Sequence, residues 1–282
     1  MPKEFIIQIR SMADKKRILV VTQEFHPFTE ESFIANIVHQ YSQFMQDSDM
    51  EVRILMPRFG AINERRHRLH EVVRLSGMNI TVDDEDYPLL IKVASLPGTR
   101  MQIYFLDNDE FFKRKKLFTD KDGNAFEDNM DRMVFFCKGV IETVKKFGWA
   151  PDIVHCHGWM TSLLPAYLKS HYKNEPIFQN AHHICSLYNE DDKIAAAMSS
   201  FAEKALSNQL TDEVVSLFQK DGALNLNHGA TSFSDGVILG EKECTFTSET
   251  IPVLASTDAE EGDWSHYVDF FNNLMLQAEE SA

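Results

Sequence analysis

The sequence predicts an α/β fold in which a single parallel sheet is flanked by helices. Short apolar segments rich in β-branched residues alternate along the chain with longer segments whose apolar residues recur at helical spacing. The expected strands cover 17–22, 52–56, 102–106, 152–156, 183–187, 236–239 and 251–254. The expected helices cover 34–45, 129–147, 160–172, 193–206 and 264–277. This alternation is typical of a Rossmann-like sheet with about seven or more parallel strands.

The composition predicts one large globular domain. Of the 282 residues, 44% are hydrophobic and 11% are aromatic, and a chain of this length buries enough surface for a substantial core. We expect residues 15–282 to form a single domain that ends in a C-terminal helix folded back on the sheet. Residues 1–14 are expected to be an N-terminal tail or an added strand. Two segments at 79–82 and 89–95, joined by an acidic turn ending at Pro88, predict a hairpin insertion at the rim of the sheet.

Charge and cysteine content disfavour several classes of protein. Acidic residues outnumber basic ones by 43 to 28, and the formal charge of −15 disfavours nucleic acids and anionic membranes as partners. The four cysteines are widely spaced without a C-x-x-C pair, so we expect neither a zinc site nor disulfides. The acidic clusters at 83–86, 107–110 and 190–192 lack the alternation of a calcium loop, so we expect no metal. The first ten residues are not typical of a signal peptide, and no run reaches membrane-spanning length, which predicts a cytoplasmic protein.

The most informative segment is 151–168, PDIVHCHGWMTSLLPAYL, which predicts a short strand that runs into a helix. The strand brings His155, His157 and Trp159 to its carboxyl end. Open parallel sheets bind ligands at the carboxyl ends of their strands, so these side chains mark a candidate ligand site.

The same segment resembles the P-D-[IV]-[VI]-H-x-H-D-W strand end of bacterial glycogen synthases and plant starch synthases, which are retaining glycosyltransferases of the GT-B type. Further similar motifs follow in the family's order at 24–28, 56–60, 104–112, 127–129 with Arg132, 220–222 and 234–237. The similarity runs from about residue 15 to residue 240. It implies the N-terminal, Rossmann-like half of a GT-B enzyme that transfers glucose from ADP-glucose or UDP-glucose to an α-1,4-glucan. It implies no cofactor beyond that donor substrate.

One loop departs from the family where the resemblance implies that the diphosphate of the sugar nucleotide binds. After the first strand the family has a lysine-threonine-glycine-glycine loop, and this chain has Glu30, Glu31, Ser32 and Phe33. A carboxylate replaces the ammonium, and both glycines that would let backbone amides reach a phosphate have gained side chains. We expect this degenerate phosphate loop to repel an anion. The alternative is that the turn bends differently and another cation serves.

The family's second domain, with its glutamate and its arginine-lysine pair, is reproduced by no stretch after Gly240. The resemblance places catalysis in the cleft between the two domains, so we expect the isolated chain to be inactive, a pseudoenzyme. One expected partner is an α-glucan, which carries no charge to be repelled. The other is a separately encoded second domain or a second copy of the chain.

The resemblance also implies which side chains face the sugar. The histidine corresponding to His157 lies at the acceptor or donor sugar in the family, whereas Gly158 stands where the family has an aspartate. Trp159 suits either stacking on a sugar ring or packing in the core. Tyr188 and Asn189 stand where the family has histidine and asparagine. We expect His157, Trp159, Tyr188 and Asn189 to form an open concave surface, and we single out no catalytic residue.

Two functional classes therefore compete. The first is an enzyme of the glycogen synthase type, and the second is a non-catalytic glucan-binding or partner-binding protein built on the acceptor-side domain. A leaving diphosphate needs strong electrostatic stabilisation, and no evident group supplies it, so the residues favour the second class. Family membership favours the first. A third interpretation is a folding scaffold without affinity for sugar.

Overall fold

The structure is a computed structural model that describes residues 15–189, 192–255 and 262–281. The predicted tail or strand at 1–14 lies outside the described residues. The strands are β1 (Arg17–Thr22), β2 (Glu51–Pro57), β3 (His70–Glu71), β4 (Met78–Val82), β5 (Glu85–Ser95), β6 (Gln102–Asp107), β7 (Ile153–His157), β8 (His182–Leu187), β9 (Gln219–Lys220), β10 (Ala223–Leu224), β11 (Gly236–Leu239) and β12 (Val253–Leu254). The helices are α1 (Phe33–Asp47), α2 (Glu64–His67), α3 (Asp109–Phe112), α4 (Asn129–Phe147), α5 (Leu163–Lys169), α6 (Asp192–Ala197), α7 (Phe201–Ser207), α8 (Asp212–Ser216), α9 (Leu226–Ser232) and α10 (Ser265–Ser281).

Ten of these strands form one sheet with the order β12-β11-β8-β7-β1-β2-β6-β5-β3, and β4 pairs with β5 beside that path. In the described part of the chain, the seven strands from β12 to β6 in this order are parallel to one another. The predicted parallel sheet flanked by helices is therefore confirmed. The chain leaves β1 toward β2 and β6 on one side and continues with β7, β8 and β11 on the other. The carboxyl ends of β1 and β7 thus flank the topological switch point, where open sheets bind ligands.

Helices cover both faces of the sheet because its central strands are apolar on both faces. All five residues of β7 are buried, and its successive side chains alternate between the faces. On one face His155 packs against Tyr41 of α1 and Phe271 of α10. On the other face Cys156 lies near Cys137 of α4. Helix α10 therefore completes the layer that α1 begins, as predicted for a C-terminal helix folded back on the sheet.

The hairpin differs from the prediction in the position of its turn. The turn lies at Asp83 and Asp84, and Pro88 is inside β5, opposite Asn79 of β4. The acidic residues after the turn are tolerated because they lie on an exposed outer strand pair, where charged side chains are common. β5 also pairs antiparallel with β6, so the hairpin lies at the rim of the central sheet, as predicted, and extends it.

Two predicted helices are also wrong in extent. The helix expected at 160–172 begins as a 3-10 turn at Trp159–Thr161 and continues as α5. The helix expected at 193–206 is divided into α6 and α7. Ile194, Met198, Phe201 and Ala205 are all buried, so helical spacing of apolar residues persists across the break and conceals it.

Candidate functional site

Two histidines of β7 anchor a buried polar network at the carboxyl end of the sheet. The imidazole of His155 lies between two hydroxyls, with Nδ1 3.0 Å from the Tyr41 oxygen and Nε2 2.8 Å from the Ser186 oxygen. His157 projects to the same face and has Nδ1 2.7 Å from the hydroxyl oxygen of Tyr188. The network therefore connects β7 with α1 and with the carboxyl end of β8.

Burial keeps both histidines neutral at physiological pH. It lowers the pKa of His155 well below its ordinary value and lowers the pKa of His157 to about 3. Burial also raises the pKa of Tyr188. Among the described residues, none forms a hydrogen bond with the buried Nε2 of His157. A neutral, enclosed imidazole cannot supply positive charge to a phosphate.

Helix α10 covers this network from the side of the sheet that carries α1. Its Tyr267 ring lies 5.5 Å from the ring of Tyr41, centroid to centroid, and its Phe271 ring lies 5.6 Å from the ring of His155. Trp264, just before the helix, packs edge-on against Tyr41 at 6.3 Å. These aromatic contacts cover Tyr41 and His155.

The four side chains predicted for the site do not form one open surface. His157 is fully buried, Trp159 and Tyr188 are each 2% exposed, and Asn189 alone of the four is exposed. Trp159 packs edge-on against Phe118, with ring centroids 5.3 Å apart, and so is a core residue. The expected open surface is therefore wrong for three of the four side chains, because Tyr41 of α1 packs on His157, Phe33 of α1 packs on Tyr188, and Phe118 packs on Trp159.

The glycine at position 158, where the family has an aspartate, leaves room for Gln23. Gly158 has φ 82° and ψ 160°, a conformation that is nearly confined to glycine. A Cβ atom here would lie 2.3 Å from Cδ of Gln23, whose Oε1 accepts a hydrogen bond from the Met160 N–H at 3.2 Å. Gln23 thus occupies the space that a side chain at position 158 would enter.

The degenerate phosphate loop supplies the N-cap of α1 from one of its own side chains. Ser32 is the N-cap of α1, and its Oγ accepts a hydrogen bond from the Ala35 N–H at 3.0 Å. Glu30 and Glu31 are exposed immediately before it, and burial raises the pKa of the nearby Glu24. Phe33, 47% exposed, lies edge-on to Tyr188 with ring centroids 6.4 Å apart. The loop that leads into α1 therefore carries the carboxyl groups of Glu24, Glu30 and Glu31 and contains neither lysine nor arginine.

Several basic side chains near the carboxyl ends of β2 and β6 are already paired. The Asp107 carboxylate lies 3.0 Å from Arg58 Nε and 2.8 Å from Lys92 Nζ, although the Arg58 N–H is not aligned for a hydrogen bond. Arg114 donates a hydrogen bond from Nη1 to Asp128 at 2.9 Å. These pairs weaken the alternative in which another cation replaces the family's lysine.

A cavity of about 230 Å³ opens at the carboxyl end of β8. Tyr188 and Asn189 line it, together with Asn225 and Asn227 at the start of α9 and with residues 243–246. The two asparagines at α9 were not among the predicted site residues. The sequence signal that points to them is their position just after the 220–222 motif. Lys220 of that motif also lines the cavity.

Over the described ranges, no helix combines the length and the apolar character needed to cross a membrane. No cluster of three or more histidine, cysteine, aspartate or glutamate side chains that could hold a metal ion occurs among those residues.

The chain belongs to the starch synthase catalytic domain family, whose model matches residues 17–243. It is 38% identical over 174 residues to the glycogen synthase of Chlorobium limicola, an alignment that covers 61% of this chain and 36% of that protein. It is 35% identical over 207 residues to the glycogen synthase of Chlorobium phaeovibrioides, covering 73% of this chain and 41% of that protein. The chain thus spans about two fifths of the length of the curated relatives it matches.

The catalytic domain of starch synthase IV from Arabidopsis thaliana, solved with ADP and acarbose, has a similar fold. The TM-score is 0.64 at 18% sequence identity, and the match covers 80% of this chain and 45% of that chain. This similarity shows that the chain shares the fold of one part of that GT-B catalytic domain.

Proposed function

We propose that this chain is a glycogen synthase-like domain that binds α-glucan and transfers no glucose by itself. The observation that carries the proposal is the chemistry at the amino end of α1. A diphosphate would need free backbone amides and a cation there, but the chain has the Ser32 cap and the carboxyl groups of Glu24, Glu30 and Glu31. A sugar nucleotide would meet the exposed acidic side chains of Glu30 and Glu31 at this point instead of a cation. A leaving diphosphate would also lack the electrostatic stabilisation that glucosyl transfer requires.

A glucan is the ligand class that fits the remaining features. The relatives of this chain carry the name glycogen synthase, and a neutral polysaccharide is not repelled by the chain's formal charge of −15. In this proposal the domain acts in the cytoplasm. The half-exposed Phe33 beside Tyr188 also offers a contact for a separately encoded second domain or for a second copy of the chain.

The second candidate is a hexosyltransferase that uses ADP-glucose or UDP-glucose. Family membership favours it, because the relatives are named as synthases. The two candidates differ in one measurable property, which is affinity for the sugar nucleotide.

Two measurements on the purified chain test the proposal. In native gels containing glycogen we expect slower migration than in gels without it, and in calorimetry we expect no heat from ADP-glucose or UDP-glucose. A Glu30→Lys/Ser32→Gly/Phe33→Gly variant should gain nucleotide affinity, whereas Glu203→Lys, an equal charge change at an exposed site on α7, should not. Incorporation of labelled glucose into glycogen by the wild-type chain would overturn the claim of inactivity, and unretarded migration would overturn glucan binding.

A further inference from the structure

We propose that a cavity at the amino ends of β2 and β6 binds a short peptide through its free amino and carboxyl ends. The cavity has a volume of about 620 Å³ and lies between the last turn of α1 and the turn that joins β5 to β6. We call it the amino-edge cavity. It lies at the opposite edge of the parallel sheet from His157, so this inference goes beyond the proposed function and does not depend on it.

Two arginines of the amino-edge cavity suit the carboxylate of a ligand. Arg100, in the turn between β5 and β6, is exposed and forms no hydrogen bond or ion pair with any residue that the structure describes. Arg53 of β2 is held in place, because its Cζ lies 5.0 Å from the ring centroid of Phe147 and 4.5 Å from that of Trp149. A guanidinium that is already oriented loses little freedom when it binds a carboxylate.

The carboxylate of Glu51, which also lines the cavity, does not neutralise both arginines. Its Oε1 accepts hydrogen bonds from Trp149 Nε1 at 2.8 Å and from Arg53 Nη2 at 3.3 Å. Its Oε2 lies 3.7 Å from Arg17 Nε. Two guanidinium groups thus share one carboxylate, which leaves positive charge at this end of the cavity for an anionic group of a ligand.

The end of α1 provides the opposite charge. Asp47, the last residue of the helix, is exposed and has no hydrogen-bond or ionic partner within the described ranges. The last turn of α1 contains no basic residue, and the carboxyl end of a helix carries partial negative charge. Lys15 also lines the cavity, but it is paired with Asp49. This end of the cavity therefore favours an ammonium group.

Amide side chains and size favour a peptide over other ligands with two opposite charges. Gln43, Gln46 and Gln102 line the cavity, and each amide can donate to and accept from a peptide group. The Oε1 of Gln102 accepts from the Tyr104 hydroxyl at 2.8 Å, so its Nε2 remains available as a donor. The volume of about 620 Å³ lies inside the range of roughly 300–1,000 Å³ that drug-sized ligands occupy, which a single amino acid would not fill. A peptide with both ends free has no net charge, so the chain's formal charge of −15 does not repel it.

Calorimetry with triglycine, glycine and two blocked triglycines tests the inference. N-acetyl-triglycine keeps only the carboxylate, and triglycine amide keeps only the ammonium. We expect triglycine to bind the wild-type chain most tightly and each blocked form to bind about tenfold more weakly.

Two variants assign the ends of the peptide to the two walls. Arg100→Gln should weaken triglycine binding about tenfold and leave the affinity for triglycine amide unchanged. Asp47→Asn should weaken triglycine binding similarly and should not weaken binding of N-acetyl-triglycine. The control is Lys116→Gln, an equal charge change at an exposed residue of the loop after α3, and it should bind triglycine as the wild type does.

Four outcomes would overturn the inference. They are no heat from triglycine with the wild-type chain, equal affinity for triglycine and glycine, equal affinity for triglycine and a blocked form, and the same loss in Lys116→Gln as in Arg100→Gln. Migration in glycogen gels reports on the proposed function separately, since the amino-edge cavity takes no part in it.

Discussion

The Nδ1 atom of His157 lies 2.7 Å from the hydroxyl oxygen of Tyr188, and this contact joins the ends of two neighbouring parallel strands. His157 is the side chain that the family resemblance places at the sugar, yet it is fully buried. Tyr188 is the residue through which it reaches the cavity at the carboxyl end of β8. His157 is therefore a positioning residue for the cavity wall.

The buried histidines predict that the chain loses stability on mild acidification. The pKa of His157 is lowered to about 3 and that of His183 to about 4, and the pKa of His155 is also lowered. The unfolded chain, with histidine pKa values near 6.5, binds these protons first, so stability is complete above about pH 6.5 and falls as pH decreases toward 4. Each such histidine contributes a slope of about 1.4 kcal/mol per pH unit in that window.

Urea denaturation at pH 7 and pH 5 measures this dependence. His157→Gln removes one titrating group and should reduce the difference in unfolding free energy between the two pH values. His70→Gln changes an exposed histidine and should leave that difference in unfolding free energy unaltered. Equal stability of the wild type at both pH values would show that the histidines are not buried in the neutral form.

The close approach of Gln23 predicts that position 158 tolerates only glycine. Gly158→Ala combines a disfavoured conformation with a 2.3 Å contact and should destabilise the chain by about 3 kcal/mol or more. Gly123→Ala also has positive φ but meets nothing within 4 Å, and should cost about 1 kcal/mol. Denaturant midpoints measure the stability of both variants. Adding Gln23→Ala should restore part of the lost stability in the Gly158→Ala variant but none in the Gly123→Ala variant.

The packing of α10 predicts that substitutions at two residues of this helix change the free energy of unfolding by very different amounts. Phe271 is fully buried against His155, so Phe271→Ala should cost about 3–5 kcal/mol of unfolding free energy. Leu276 is 55% exposed, and Leu276→Ala should change stability by about 0.5 kcal/mol or less. Similar small effects in thermal and chemical denaturation would contradict the docking of α10 on the sheet.

The parallel sheet could be predicted from sequence because its signal is local. Each buried strand, such as Arg17–Thr22, is a short β-branched run, and the order of strands and helices along the chain limits the topology. The break between α6 and α7 was missed because the apolar spacing continues through Met198 and Phe201. The turn of the hairpin was misplaced because Pro88 lies within an outer strand, where a missing N–H is tolerated.

The arrangement of the candidate site could be predicted only in part. Parallel strand ends meet at one edge, so the closeness of His157 and Tyr188 follows from the sequence. The burial of the adjoining His155 depends on Phe271 and its helix, which lie more than 80 residues away in the chain. Helical periodicity identifies the apolar face of such a helix but does not state where that face docks.

The docking of α10 also sets an order for folding during synthesis. The face of β7 that carries His155 and the start of β11 at Gly236 are covered by Phe270, Phe271 and Leu274. A ribosome translates β7 well before it translates this helix, so the part of the face that α10 covers stays exposed until the helix has been made. Chaperones that recognise exposed apolar surface can bind during that interval. This face of the sheet is therefore complete only after α10 has been synthesised and has docked.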